Sequence, residues 1–183
     1  MFIQAIIFKL EDIITGFSYD PAILMDILLK KGVLIDLPME CVDNFIRFEN
    51  CLDKYLNNHQ KSQVLKILED IDIDNLKIKK ILKERILSFK GKGARVFFIS
   101  LFPKRLCINI LKKENIFQIV DGYVCGEQSF KDCKRLDYLI KKYGVLPEKT
   151  IYVTFSKKYK NFKGFIISPD GFIEAGEIEK ELY

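Results

Sequence analysis

The apolar run AIIF at residues 5–8 leads straight into Lys9, Glu11 and Asp12. An ammonium and two carboxylates at the end of a strand can hold an anion, move a proton or pair with one another, depending on how deeply they are buried. Hydroxyls recur in comparable places, Ser100 after RVFFI and Thr154 and Ser156 after TIYV. Other candidates carry less chemistry. The single histidine, His59, sits in the polar stretch LNNHQKS and reads as a surface loop residue with no triad or metal set around it. The stretch GKG (91–93) precedes a strand and lacks the strand-loop-helix context of a phosphate cradle, and LEDIDID (68–74) lacks the glycine and terminal glutamate of a calcium loop. The five cysteines form no CxxC pair and leave one over, so they support neither a zinc site nor a disulfide framework and read as buried or idle thiols.

The elements that must position these residues alternate. Residues 2–8 form a short apolar run of the kind a strand buried on both faces shows. Asp20-Pro21 opens a helix that Gly32 ends. From Pro38 to about Leu56 an apolar stripe at helical spacing is interrupted by Glu49, and two further helical patterns follow at about 61–69 and 75–88. The second half then switches between strands at 95–100, 121–126, 150–155 and 164–168 and helices from Pro103 to about Lys113 and over 133–144. The fold class expected is α/β: a Rossmann-like parallel sheet flanked by helices, with right-handed crossovers and a helical cap insert after the first strand. Residues 1–15 and 91–183 make the α/β core domain and 16–90 the helical insert. In such sheets ligands lie beyond the carboxyl ends of the strands, which is where Lys9, Glu11, Ser100, Thr154 and Ser156 stand.

Composition bounds the partners. With 183 residues, 49% of them hydrophobic, the chain can bury a substantial core. No apolar run approaches the ~18 residues of a membrane span, and the start lacks the basic region and cleavage site of a secretory signal, so a cytoplasmic location and no membrane partner are expected. The net charge of +5 gathers at 77–85, 89–95, 131–135 and 155–163 and is read mainly as solvated lysine faces. The stretch FSKKYKNFK interleaves lysines with Phe155, Tyr159 and Phe162, a composition that can stack on bases, but no RNA-binding motif accompanies it and nucleic acid is not the expected partner.

The order of these elements, together with particular residues, resembles the haloacid dehalogenase-like superfamily of phosphatases. AIIFKLEDIIT is similar to that family's first motif, an apolar strand followed by Asp-x-Asp-Gly-x-x-Thr, with Lys9 and Glu11 at the aspartate positions, Asp12 at the glycine and Thr15 at the threonine. FFISLFP (97–103) resembles the second motif, with Ser100 as the phosphate-contacting hydroxyl. A lysine between Phe130 and Arg135, Lys131 or Lys134, would be the third. TIYVTFSKKY (150–159) occupies the place of the fourth, with Phe155 and Tyr159 where acids are usual, and the chain between Phe155 and Gly164 leaves a shortened helix or none.

The resemblance implies a phosphohydrolase fold whose chemistry has been altered. In the family the first aspartate attacks phosphorus, the second serves as acid and base, and the first joins the fourth-motif acids on magnesium. Protonated Lys9 can neither coordinate a cation nor form an acyl phosphate, so the magnesium site is expected to be lost and no cofactor is expected. Lys9, Ser100, Lys131 and Lys134 remain candidates for holding a small phosphorylated ligand, unless Lys9 simply closes a salt bridge with Glu11. A protein partner or a homo-oligomer is a second expectation, with Phe45, Phe48, Phe89, Phe102, Phe155 and Phe162 as candidate contacts. The alternative is an active phosphohydrolase with a non-standard site in which Glu11 or Asp12 is the base, or Lys9 is desolvated into a nucleophile.

Overall fold

A computed structural model describes residues 3–16, 21–33, 37–42, 45–155, 159 and 162–174, with the side chains of 21, 23, 39, 42 and 45–47 left aside. Strand β1 (Ala5–Lys9) runs directly into a single turn, α1 (Leu10–Ile13), and a short β2 (Ile14–Thr15). Helices α2 (Pro21–Lys30), α3 (Phe45–Tyr55) and α4 (Asn58–Glu69) follow, with a 3-10 turn at Met39–Val42 before α3. Strand β3 (Lys77–Ile78) returns antiparallel to β2, closing the excursion with a two-stranded ribbon. The chain continues through α5 (Lys80–Gly91), β4 (Arg95–Ile99), α6 (Lys104–Lys113), β5 (Gly122–Val124), α7 (Asp132–Tyr143), β6 (Thr150–Val153), β7 (Phe165–Ile167) and α8 (Pro169–Glu174).

The sheet has the order β5-β4-β1-β6-β7 with every pairing parallel. Side chains of a strand point alternately to its two faces, and β1 sorts accordingly. Ile6 and Phe8 join a cluster with Val96, Phe98 and Val153 under α5, α6 and α8, whereas Ala5 and Ile7 join Phe97, Ile99 and Tyr152 under α7. That is why β1 is apolar at consecutive positions: it is covered on both sides. A separate cluster holds Leu24, Leu28, Phe48, Leu52, Val64 and Leu68 of α2–α4, and Leu101 and Phe130 from the loops after β4 and β5 insert into it.

Two features differ from the sequence reading. Helix α5 falls within 16–90, yet its Leu82, Ile86 and Phe89 are buried in the sheet's own cluster, so the helices with a core of their own are α2–α4. A helical pattern is the same whichever layer its stripe faces, and β3 turns the chain back to the sheet before α5 begins. Cys41 and Cys51 form a disulfide, whereas Cys107 and Cys125 are buried free thiols and Cys133 an exposed one. The 3-10 turn packed against α3 brings the two sulfurs together, a proximity that spacing along the chain does not reveal.

Candidate functional site

The carboxyl ends of β1, β4 and β6 converge as strand parity requires, but the groups there are not open to a ligand. Lys9 is 1% exposed, and its Nζ lies 3.4 Å from Glu49 Oε1 and 3.5 Å from Asp132 Oδ2. Glu49 comes from α3, on the far side of the cleft, and is as deeply buried as Lys9. Arg135 of α7, fully buried, donates from one guanidinium nitrogen to Glu49 Oε1 at 3.0 Å and Asp132 Oδ1 at 3.4 Å, and from the other to the carbonyls of Ser129 and Phe130 at 2.9 and 2.8 Å. Tyr152 of β6 donates to Asp132 Oδ2 at 3.0 Å and its hydroxyl meets that of Tyr159 at 3.2 Å.

Glu11, expected as the partner of Lys9, instead directs Oε1 to the backbone N–H of Leu101 and to the hydroxyl of Ser100 at 2.7 Å, and acts on Lys9 through its charge. Ser100 Oγ also accepts from the N–H of Phe102 at 3.0 Å, so this hydroxyl ties the β4 loop together. Asp12 Oδ2 accepts from Thr154 Oγ1 at 2.6 Å and from the N–H of Phe155 at 2.9 Å, joining the turn after β1 to the end of β6. Phe155 is 55% exposed and Tyr159 half-buried against Tyr152, at 5.0 Å between ring centroids. Ser156 lies outside the described residues, as does most of the stretch up to Gly164 in which a shortened helix or none is expected.

The third-motif lysines do not reach this centre by any described contact. Lys131 begins α7, its N–H donating to Ser129 Oγ at 3.0 Å. Lys134 is exposed and pairs with Asp53 Oδ2 at 2.8 Å. Asp53 also takes the Ser129 hydroxyl at 3.3 Å and lies 3.6 Å from Lys61. Glu49 and Asp53 are four residues apart on α3, hence on one helical face, and both reach residues of the 129–135 segment. His59 is exposed in the first turn of α4 rather than in a loop, between the Asn57 and Gln60 of the capping box.

Burial and charge oppose each other in this junction. Burial depresses the Lys9 ammonium, but Asp132 and Glu49 more than offset it and hold the group well above its ordinary value. Arg135 behaves alike, lowered by burial and raised further by Glu49 and Asp132. Burial pushes Glu49 up to about 7 against the pull of Arg135 and Lys9, and burial also raises Glu11 despite Lys9 and Arg135. Sequence reasoning singled out Lys9, Glu11 and Ser100 but gave no role to Glu49, Asp132, Arg135 or Tyr152. The one signal in hand was Glu49, an acid inside an apolar stripe, which marks a charge that must be compensated across an interface.

No family model matches the chain, and no curated protein matches it. Solved structures do. A predicted phosphatase from Clostridium acetobutylicum superposes with a TM-score of 0.64 at 11% identity, over 98% of this chain and 100% of its own. The fold is that of the haloacid dehalogenase-like hydrolases. A haloacid dehalogenase-like family protein from Streptococcus pneumoniae aligns at a TM-score of 0.59 and 12% identity, covering 99% of both chains. The CbbY protein of Rhodobacter sphaeroides, solved in complex with phosphate, aligns at 0.57 and 11% identity over 95% of this chain and 96% of its own.

Proposed function

We propose that this chain is a non-catalytic member of the haloacid dehalogenase-like superfamily, in which the ancestral reaction centre has become an ion-paired junction that holds the α2–α4 insert closed on the sheet. The observation that carries the reading is the burial of Lys9 at the end of β1, where the resemblance would place the nucleophile, within 3.5 Å of Glu49 from the insert and Asp132 from α7. An ammonium held protonated by two carboxylates has no lone pair for attack on phosphorus. Of the alternative bases, Glu11 uses Oε1 on Ser100 and Leu101 while its buried Oε2 has no hydrogen-bond partner among the described residues, and Asp12 uses Oδ2 on Thr154 and Phe155.

The residues do not fit magnesium. The ion prefers oxygen ligands in octahedral array, and here two cations, Lys9 and Arg135, stand among the carboxylates while Phe155 presents a hydrocarbon ring. Among the described residues no cluster of three metal-ligating side chains occurs. Nor does Lys9 serve an anion well, because a phosphate would have to displace Glu49 or Asp132 from a buried site. The retained function is therefore binding or assembly through surfaces away from this centre, and no described helix is long and apolar enough to cross a membrane.

Hydrolysis of p-nitrophenyl phosphate and of sugar phosphates with magnesium present tests the reading. No turnover above buffer is expected, and calorimetric titration of a Lys104→Glu variant with inorganic phosphate should show no saturable heat at the Lys9 centre. Turnover that vanishes in Glu11→Gln or Asp12→Asn would overturn the proposal in favour of an active phosphohydrolase with a non-standard base.

A further inference from the structure

A second cavity, of about 440 Å³, lies beside β5 at the edge of the sheet, outside the Lys9 junction, and its volume falls in the range of small-molecule sites. Lys104 from the start of α6 and Lys142 from the end of α7 line it from different elements. Neither ammonium has a carboxylate within ion-pair distance among the described residues. The acid in the lining is already neutralised: both oxygens of Asp121 receive Lys90 Nζ, at 2.8 and 2.7 Å, and one also receives the N–H of Val96. The cavity therefore carries surplus positive charge.

Its walls suit a flat ring. Phe117, Tyr123 and Tyr143 contribute aromatic surface, and a Cβ on Gly122 would stand 2.3 Å from the Tyr143 ring, so glycine is what lets that ring lie directly on the strand. Lys142 Nζ sits 5.1 Å from the centre of the Tyr143 ring, so cation and aromatic surface are offered together. Among the described residues strand β5 ends the sheet with no strand on its outer edge, an edge that carries backbone donors and acceptors, and Gly122 and Tyr123 of this strand line the cavity. Gln128 adds an amide whose oxygen is used by the N–H of Cys125 at 2.9 Å, which leaves its NH₂ to donate.

Unpaired ammonium groups, aromatic walls and a polar backbone edge in one cavity match a ligand with a phosphate, a planar ring and hydrogen-bonding ring atoms. We propose that the cavity beside β5 binds a mononucleotide, with its base among the aromatic side chains and the strand edge and its phosphate on Lys104 and Lys142. The site does not depend on whether the Lys9 centre is catalytic.

Titration calorimetry of the full chain with adenosine 5′-monophosphate, adenosine and inorganic phosphate tests it. Saturable binding of the monophosphate is expected, with adenosine and phosphate alone each weaker by about tenfold or more. Lys104→Glu and Lys142→Glu, both at exposed positions, should each weaken the monophosphate by about tenfold or more while keeping the wild-type melting temperature. No saturable heat with the monophosphate at millimolar concentration, affinity unchanged in both lysine variants, or equal affinity for phosphate alone would each overturn the site. Chromatography of the titrated ligand separates this result from the proposed loss of catalysis: conversion to adenosine would sink that reading and leave the binding result standing.

Discussion

Glu49 of α3 lies 3.4 Å from Lys9 at the end of β1, and both are about 1% exposed. One side chain belongs to the helical insert and the other to the central strand of the sheet, so the pair joins the two through a buried contact. Removing one partner of a buried pair leaves an uncompensated charge and costs about 3–5 kcal/mol. Lys9→Met, and Glu49→Gln measured above pH 7 where Glu49 carries its charge, should each fall in that range by urea unfolding. Because they share a network with Arg135 and Asp132, the double variant should lose less than the sum of the two. Strict additivity would contradict the junction.

The same network makes stability depend on pH in a definite direction. Glu49 titrates at about 7 in the folded chain against 4.5 when free, so between those values the folded state holds a proton that the unfolded state has released. Stability must therefore fall as pH rises from 4.5 to about 7, with Glu11, also raised, adding in the same sense. Lys9 is raised above 10.5, so its contribution is complete below that pH and is lost above it. Urea midpoints should descend between pH 4.5 and 7, level off, and descend again beyond about 10.5. A Glu49→Gln variant with the first descent undiminished would rule out Glu49 as its source.

The Cys41–Cys51 bridge pins the 3-10 turn to the helix that carries Glu49 and Asp53. Closing a loop with a sequence separation of 10 constrains the unfolded chain by roughly 2–3 kcal/mol in the loop-entropy picture. Reduction, or Cys51→Ser, should lower the unfolding free energy by that amount and leave the sheet's own melting signature in place. Thiol titration of the unfolded, unreduced protein should find the three free cysteines, 107, 125 and 133. Five reactive thiols would show that the bridge does not form.

Glycines at positive φ separate backbone strain from steric conflict. Gly16, at φ +84, precedes the insert where a Cβ would come within 1.9 Å of the Asn75 carbonyl oxygen, while Gly32, at φ +75, has nothing within 4 Å. Left-handed backbone costs an alanine about 1 kcal/mol or more. Gly32→Ala should lose that backbone cost alone, and Gly16→Ala clearly more, because the ribbon of β2 and β3 must also shift. Equal losses by calorimetry would remove the steric argument.

Much of the fold was legible because its signals are local. Consecutive apolar residues in AIIF and VFFI follow from burial on both faces of a parallel sheet, and Pro103 and Gly144 punctuate helices through their own conformational limits, whereas Asp20 lies outside the described residues. The layer that α5 joins was not legible, since Leu82, Ile86 and Phe89 make the same stripe against a sheet as against a bundle. The site was half legible. Lys9, Glu11 and Ser100 stand at strand ends, and strand ends in a parallel sheet meet. Lys134 looked equivalent to Arg135 as a basic residue of α7, yet one turns outward to Asp53 and the other is fully buried beneath Glu49.

By itself, the sequence determined the alternation of strands and helices, the insert after the first strand, and the lysine and two acids at the end of that strand, because each is written in residue types and short periods. Only the tertiary structure decided what Lys9 touches. Charges inside a protein find partners by proximity in space, and the partners of Lys9 arrive on α3 and α7, whose approach is set by how whole apolar faces pack. A lysine that reads along the chain as an anion holder or as a plug against Glu11 is, in the folded molecule, ion-paired with Glu49 of the insert and Asp132 of α7.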